Sequence, residues 1–259
     1  MKILTLYSQS IANDYVISNL LRKPFHIMTI REEQGSAQVV KRTFKRKKHS
    51  LPSKINRLLF YLYFFLFLSS KVKRLFKKKL DFTRRLEPDH KVKNINDDRT
   101  LELAKEFSPD IILVFGTSLL KKGWFELQRP ILNSHLGIIP RYRGWLCWFW
   151  SVLEENFDSV GISIHHVTKI ADGGAIVIQD FLNIFELEKI DLPHILFSVI
   201  LLVEKNISKA INMVSQEERS VYDFDEYRYG KKYPHYFEPG IIDYIRFVSL
   251  TRRLNKQIK

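Results

Sequence analysis

Five consecutive apolar residues, Ile111–Phe115, narrow the folds open to this chain more than any other segment. An uninterrupted run of this kind is typical of a strand buried on both faces, as in parallel sheets that helices cover on both sides. Residues 3–7 are predicted to form another buried strand, the first in the chain. A helical segment at 13–21 follows it and leads to a strand expected at 25–30. This βαβ opening predicts an α/β fold with a Rossmann-like, open, mostly parallel sheet flanked by helices.

Neither a dinucleotide nor a metal is expected in this fold. The first turn, Ser8-Gln9-Ser10, contains no glycine, whereas the dinucleotide fingerprint needs glycines where the backbone approaches a pyrophosphate. The single cysteine, Cys147, excludes a disulfide framework and a thiolate metal cluster. Because residues 1–6 lead directly into a strand without the pattern of a signal peptide, we expect a cytoplasmic location.

The positive charge of the chain is concentrated in one segment. The formal net charge is +14, and residues 41–93 hold 18 Lys and Arg against three acids, a net of +15. The remaining residues are therefore close to neutral. Since a nucleic-acid enzyme would spread basic residues around its active cleft, nucleic acid is not an expected partner.

Residues 41–93 read as a basic, partly helical insert in a catalytic domain that spans residues 1–215. Its apolar run, residues 58–68, is shorter than the roughly 20 residues that cross a bilayer. Basic clusters at 41–48 and 71–79 flank this run, a pattern that suits an anionic membrane surface. Two interpretations stay open: a helix packed on the domain or at a homodimer interface, or peripheral membrane contact through residues 45–80. Residues 216–259 are expected to form a short, variable C-terminal extension.

Polar side chains follow two of the expected strands at the point where each strand ends. Asn133 and His135 close a short strand, and Asp172-Gly173-Gly174 lies between strands expected at 161–167 and 175–181. Residues two apart on a strand share a face, and the carboxyl ends of parallel strands line the crevice where ligands bind. An amide that donates to an oxyanion, a titratable imidazole and an orienting carboxylate can together transfer an acyl group to an amine. Each residue taken alone is better explained as part of a turn than as a catalyst.

The combined pattern resembles that of the folate-dependent formyltransferases. It comprises Asn133-x-His135, Pro140-x-Tyr142-x-Gly144 and Asp172-Gly173-Gly174-x-Ile176 with Gln179. The resemblance implies transfer of a formyl group from N10-formyltetrahydrofolate to a primary amine. It also implies that Asn133 and His135 bracket the formyl oxygen, and that Asp172 orients them and helps to remove a proton from the amine.

The same resemblance implies where the two substrates bind. The folate would lie against residues of two segments, namely Leu113, Phe115, Gly116, Thr117, Leu119, Leu120, Val167, Ile170 and Ala171. A phosphorylated amine substrate would contact Arg141, Tyr142 and Arg143, although these residues can equally be part of a solvated surface.

The chain most resembles the sugar N-formyltransferases, which act on nucleotide-linked amino sugars for surface polysaccharides. The glycinamide ribonucleotide enzymes carry a glycine-rich first loop that this chain lacks, and the methionyl-tRNA enzymes carry a basic domain after the catalytic one. Methionyl-tRNA formylation and hydrolysis of formyltetrahydrofolate stay open as alternatives. A further alternative is a non-catalytic protein that uses this fold to bind a membrane surface.

Overall fold

The structure, a computed structural model, describes residues 1–33, 50–216 and 233–257. The basic cluster at 41–48, residues 45–49 of the expected membrane contact and residues 217–232 of the C-terminal extension lie outside the described residues.

The described strands form one large sheet and one short pair. In chain order they are β1 (Lys2–Ser8), β2 (His26–Glu32), β3 (His90–Val92), β4 (Ile111–Phe115), β5 (Ile131–His135), β6 (Arg143–Gly144), β7 (Gly161–His166), β8 (Ile176–Phe181) and β9 (His235–Tyr236). The large sheet has the order β3-β2-β1-β4-β5-β7-β8, and β6 pairs with β9. Strands β1 to β5 of the large sheet are parallel, and β7 runs antiparallel to both β5 and β8. The expected open, mostly parallel sheet is confirmed.

Helices cover both faces of this sheet. They are α1 (Ile11–Leu20), α2 (Leu51–Leu80), α3 (Asp98–Phe107), α4 (Lys122–Phe125), α5 (Cys147–Leu153), α6 (Leu192–Ser215) and α7 (Ile241–Gln257). Alternate residues of β1 point to opposite faces: Ile3 and Tyr7 join the core under α1, α2, α6 and α7, whereas Leu4 and Leu6 join the core under α3 and α4.

Helix α2 is the central part of the basic insert, and it packs on the domain. Its buried side chains Phe60, Leu68, Val72 and Phe76 are spaced by multiples of four residues. In an uninterrupted α-helix each four-residue step turns about 40° beyond a full turn, so this row would drift around the helix. A π-helical turn at Phe64–Leu68, with more residues per turn, offsets the drift and keeps the row facing the core. The packed-helix interpretation is therefore correct for this face of α2.

Helix α7 lies within the expected C-terminal extension and was not predicted from the sequence. Phe247, Leu250 and Leu254 are buried in the same core as the sheet, and the Phe247 ring stacks on Phe149 with centroids 4.6 Å apart. The described part of the extension therefore belongs to the catalytic core. The spacing of these three apolar residues is helical, but Arg252 and Arg253 interrupt it.

Candidate active site

The end of β5 and the connection between β7 and β8 carry the candidate residues. Asn133 and His135 lie at the carboxyl end of β5, and Asp172 lies on the connection from β7 to β8. Because β7 runs antiparallel to β5, His165 is paired directly with Asn133. The connection that follows β7 starts beside Ile131, at the beginning of β5, and folds back so that Asp172 lies 3.4 Å from His135. The structure brings Asn133, His135 and Asp172 together in this way.

Asp172 is the centre of the cluster. Its Oδ1 lies 3.4 Å from His135 Nδ1 and 3.7 Å from His165 Nε2, and its Oδ2 accepts a 2.9 Å hydrogen bond from the Gly144 backbone N–H. Burial raises the pKa of this carboxyl, but the two neighbouring imidazoles and the Gly144 N–H outweigh burial, so the pKa lies well below its ordinary value. Asp172 is therefore ionised at neutral pH.

The backbone at Asp172 adopts a left-handed conformation, with φ of 53°. Residues other than glycine seldom adopt this region, although aspartate tolerates it better than most. Such backbone conformations cost free energy and persist where the surrounding contacts over-determine them. Here the contacts to Gly144 and to His135 hold the carboxylate in place.

His135 is held between a carbonyl and a carboxylate. Its Nε2 lies 2.9 Å from the carbonyl oxygen of Tyr142, which assigns a hydrogen to Nε2 as the donor. Burial lowers the pKa of His135 by more than the charge of Asp172 raises it. The imidazole is therefore neutral at neutral pH, with the unprotonated Nδ1 facing Asp172. A proton taken up at Nδ1 would lie beside a carboxylate that stabilises it.

His165 fixes the amide of Asn133. Its Nδ1 lies 2.9 Å from the carbonyl oxygen of His166, so Nδ1–H donates and Nε2 can accept. Asn133 Nδ2 lies 3.2 Å from that Nε2, which uses one amide hydrogen and leaves the second as a donor toward a ligand. His165 is a residue of this cluster that the sequence pattern did not reveal. The signal that could have found His165 is its position directly opposite Asn133 in the strand alternation.

A small network holds the loop that follows His135. The Ser163 hydroxyl donates to the Gly137 carbonyl at 2.8 Å and accepts from the Ile139 N–H at 3.2 Å, while Gln179 Nε2 donates to the Ile139 carbonyl at 2.7 Å. A Cβ at Gly137 would lie 2.8 Å from His135 Nε2, too close for an ordinary contact. The loop therefore keeps the imidazole in one position, which is the arrangement that preorganised catalytic groups need.

Among the residues expected to bind folate, the two on β4 lie in the core. The side chains of Leu113 and Phe115 are buried, and Leu113 is paired with neighbouring strands on both sides. Neither side chain faces the candidate site in this structure. The reason is that β4 is central in the sheet and is covered on both faces.

Residues 116–120 form the loop after β4, and the residues of this loop that are expected to bind folate face outward. Gly116 adopts a positive φ of 67° next to Ser8, where an added Cβ would lie 3.3 Å from the Ser8 hydroxyl oxygen. Glu32, which is buried, accepts a 2.7 Å hydrogen bond from the Ser118 N–H and thereby anchors the loop. Leu119 is 72% exposed. An anchored loop that presents an exposed apolar side chain fits a flat ring such as a pterin, while Thr117 and Leu120 are half-buried.

On the other side, the connection from β7 to β8 carries the remaining residues of that set. Ile170 is 47% exposed, and Ala171 precedes the candidate carboxylate. Val167 is half-buried and packs against the core under α3. Ile170 is therefore the side chain of this segment that is available to an apolar ligand.

The three residues expected to contact the amine substrate have different environments. Tyr142 is fully buried, its hydroxyl donates to Glu154 at 2.9 Å and its ring stacks on Tyr236. Its carbonyl, rather than its side chain, faces the site through His135. Arg143 is buried, whereas Arg141 is exposed. Of the three side chains, Arg141 is thus the one open to a ligand.

These residues lie inside a segment that matches a known family. The Formyl transferase family model matches residues 30–192, which is more than half of the chain. The chain belongs to the formyltransferase family. The structure describes no group of three or more His, Cys, Asp or Glu side chains arranged to hold a metal ion.

Known formyltransferases match the chain over different lengths. Methionyl-tRNA formyltransferase of Finegoldia magna is 34% identical over 90 residues, which is 34% of this chain and 29% of that protein. The bifunctional polymyxin resistance protein ArnA of Wigglesworthia glossinidia brevipalpis is 26% identical over 172 residues, which is 63% of this chain and 26% of that protein. The chain thus spans less than a third of the length of either relative.

A solved structure matches over nearly the whole length of both chains. The sugar N-formyltransferase from a Shewanella species superimposes with a TM-score of 0.55 over 96% of this chain and 88% of that chain, at 13% sequence identity. At this identity the match establishes the formyltransferase fold and leaves the acceptor undetermined.

Proposed function

We propose that this protein transfers a formyl group from N10-formyltetrahydrofolate to the primary amine of a nucleotide-linked amino sugar. The observation that carries the proposal is the cluster in which the Asp172 carboxylate lies 3.4 Å from His135, beside Asn133. This cluster lies within the residues that match the formyltransferase family.

In this proposal each residue of the cluster has one role. N10-formyltetrahydrofolate, when bound, supplies the formyl group on a nitrogen that can leave. The free hydrogen of the Asn133 amide donates to the formyl oxygen as negative charge develops there, an interaction typically worth about 3–4 kcal/mol of barrier. His135 takes a proton from the attacking amine at Nδ1, and ionised Asp172 stabilises the imidazolium that forms. The imidazolium then gives this proton to the folate nitrogen as its bond to the formyl carbon breaks.

The folate would bind between the anchored loop at 116–120 and the segment before Asp172. Leu119 and Ile170 present exposed apolar surface on these two segments, which suits the faces of a flat ring. The Glu32 contact to Ser118 would hold the first segment in place. Leu113 and Phe115, which are buried in β4, support the loop from below rather than contact the ligand.

Three observations support an amino sugar as the acceptor. The net charge outside residues 41–93 is close to zero, which favours a small substrate over a nucleic acid. The first turn, Ser8-Gln9-Ser10, has no glycine with which to cradle the phosphate of glycinamide ribonucleotide. The fold of a sugar N-formyltransferase matches this chain over almost its full length.

Methionyl-tRNA is the second candidate acceptor. It is the acceptor in the name of a relative, methionyl-tRNA formyltransferase, that is 34% identical to this chain over about a third of its length. In that case the basic insert, rather than the near-neutral remainder, would have to contact the nucleic acid.

The test is to incubate the protein with N10-formyltetrahydrofolate and a panel of amines, and to follow the release of tetrahydrofolate. The panel contains nucleotide-linked amino sugars, glycinamide ribonucleotide and methionyl-tRNA, and a further sample contains no amine. Turnover with an amino sugar, abolished in Asp172→Asn, is the expected result. Turnover with methionyl-tRNA alone would replace the acceptor, and equal release without any amine would indicate hydrolysis. If no sample turns over and the folate does not bind, the enzymatic proposal is wrong.

A further inference from the structure

One face of α2 carries a row of exposed aliphatic side chains. Leu51, Ile55, Leu59, Leu62 and Leu66 are each between 46% and 66% exposed. Their spacing of four, four, three and four residues places them on one side of the helix. Single exposed aliphatic residues are ordinary on a protein surface, whereas a contiguous row marks a site of interaction. We call this row the apolar stripe.

The carboxyl-terminal turns of α2 line a groove with basic walls. Arg74 and Lys78, on the turns that follow the apolar stripe, line this groove of about 1130 Å³ between α2, the start of α6 and α7. Seven basic side chains line this basic groove: Lys71, Arg74, Lys78, Lys189, Arg252, Arg253 and Lys256. Its floor is apolar, with Leu68, Leu75 and Phe247 among the lining residues.

Most of this positive charge is not neutralised by the residues that the structure describes. The one acidic residue that lines the basic groove, Asp191, is already in contact with Lys189 and His194, and Arg253 is paired with Glu155. The other five basic side chains of the groove form no ion pair with any of the described residues. The groove is therefore complementary to an anionic partner.

Helix α7, which packs against α2, carries further exposed aliphatic residues. Ile242 and Ile245 are 59% and 61% exposed. The Ile242 N–H donates to Asn56 of α2 at 3.1 Å, and Ile245 lines the basic groove. Ile245 thus adds exposed apolar surface at the basic groove, and the apolar stripe lies on the turns of α2 that precede the groove.

We propose that this combined face docks on the surface of an anionic phospholipid membrane. The apolar stripe would enter the boundary between headgroups and acyl chains, and the basic groove would hold lipid phosphates. Apolar burial together with basic residues beside it is the combination that holds amphipathic helices at anionic bilayers.

Peripheral docking fits the packing of α2 better than a membrane span does. Among the described helices, α2 is long and apolar enough to cross a membrane by length and composition alone. However, Phe60, Val72 and Phe76 on its opposite face are buried in the domain core. The helix can stay in that core and still present the apolar stripe only if it lies along the surface.

A second copy of the chain is a poorer occupant of this face. In a twofold dimer the same patch meets itself. Residues 41–93 carry a net charge of +15, so self-association would bring like charges together. An anionic bilayer removes that repulsion and adds attraction.

The experiment is sedimentation of the full chain with vesicles of phosphatidylcholine, with and without phosphatidylserine. The chain is expected to sediment with the anionic vesicles and to be released by high salt. Replacing Lys71, Arg74 and Lys78 by Gln should weaken partition by about 150-fold, from about fivefold per basic residue near the surface. Replacing Leu59, Leu62 and Leu66 by Ser should also release the protein.

A matched control removes the same charge from the other face of the sheet. Arg99 and Lys105 are exposed on α3 and Arg129 is exposed between α4 and β5, and both helices cover the opposite core. Replacing these three by Gln should leave sedimentation within about threefold of the wild type. Urea unfolding of each variant confirms that the fold is retained.

Three results would overturn the proposal. The first is equal sedimentation with neutral and anionic vesicles. The second is an equal loss in the control variant, which would indicate an effect of net charge alone. The third is absence of vesicle binding. If the wild type is then a dimer, and the substitutions at Leu59, Leu62 and Leu66 dissociate it, the face binds a second copy of the chain instead. None of these measurements depends on formyl transfer.

Discussion

Replacing Asp172 by Asn tests the proposed chemistry most directly, because it removes one charge and almost no volume. The amide oxygen can still accept the hydrogen bond that Gly144 donates at 2.9 Å. The loop should therefore keep its position. The variant differs from the wild type mainly in the interaction with His135, whose Nδ1 lies 3.4 Å from the carboxylate.

The size of the effect follows from that distance. Two unit charges 3.4 Å apart interact with about 5 kcal/mol at an effective dielectric constant of about 20. The wild type gains this stabilisation whenever His135 takes up a proton, and the variant does not. Proton transfer by a positioned group contributes about 10²–10⁴-fold to a rate. We therefore expect kcat to fall by about 10³-fold, equivalent to about 4 kcal/mol of barrier.

The assay is release of tetrahydrofolate at saturating amine, with KM for the formyl donor measured in parallel. KM should change by less than about threefold, because a loss confined to the transition state lowers kcat and kcat/KM equally. If kcat falls by less than tenfold in a variant whose urea unfolding is unchanged, the role given to the carboxylate is wrong. A large rise in KM with unchanged kcat would mean that Asp172 holds the folate instead.

Other predictions concern the oxyanion donor, the packing around the imidazole, the insert and pH. Asn133→Ala should lower kcat by about 10²–10³-fold in the same assay, whereas an unchanged rate would contradict an oxyanion role. Gly137→Ala should lower activity at least tenfold, because its Cβ would clash with the Cβ of Cys147 and lie 2.8 Å from His135 Nε2; wild-type activity would show that the loop can relax. Phe76→Ala should cost about 3–5 kcal/mol in urea unfolding because Phe76 is fully buried, whereas Leu66→Ala should cost under about 0.5 kcal/mol. Burial lowers the pKa of His135, so as the pH falls below about 6.5 this residue takes up a proton in the unfolded chain before it does so in the folded one. The free energy of unfolding should therefore be smaller at pH 5.5 than at pH 7.5. In His135→Gln this dependence on pH should be weaker.

Much of the sheet could be predicted because its strands are local patterns. The uninterrupted apolar residues Ile111–Phe115 form the central strand β4, and the expected strands at 161–167 and 175–181 pair as β7 and β8. The start of the long helix α6 is also a local signal, because Asp191 is its N-cap and Pro193 lies in its first turn. Alternation, uninterrupted burial and capping are properties of neighbouring residues, so the sequence contains them directly.

Other features depend on residues that are distant in the chain. The apolar spacing of α7 is interrupted by basic residues, and the helix is recognisable once Phe247 is seen against Phe149. The bifacial character of α2 is also invisible in the all-apolar run of residues 58–68. Packing against α6 and α7 buries one side, with a π-helical turn that keeps Phe60 and Phe76 on it.

The sequence by itself determined which residues carry chemistry. Asn133, His135 and Asp172 are identifiable from their types, their order and their places at strand ends, and the mostly parallel sheet follows from the strand and helix pattern. The tertiary structure decided how these residues are used. It assigned the proton of His135 to Nε2 through the Tyr142 carbonyl, brought His165 beside Asn133, and buried Leu113 and Phe115 away from the site. The physical reason is that hydrogen-bond partners and burial arise between elements far apart in the chain, and these set the tautomer, the pKa and the exposure of each side chain.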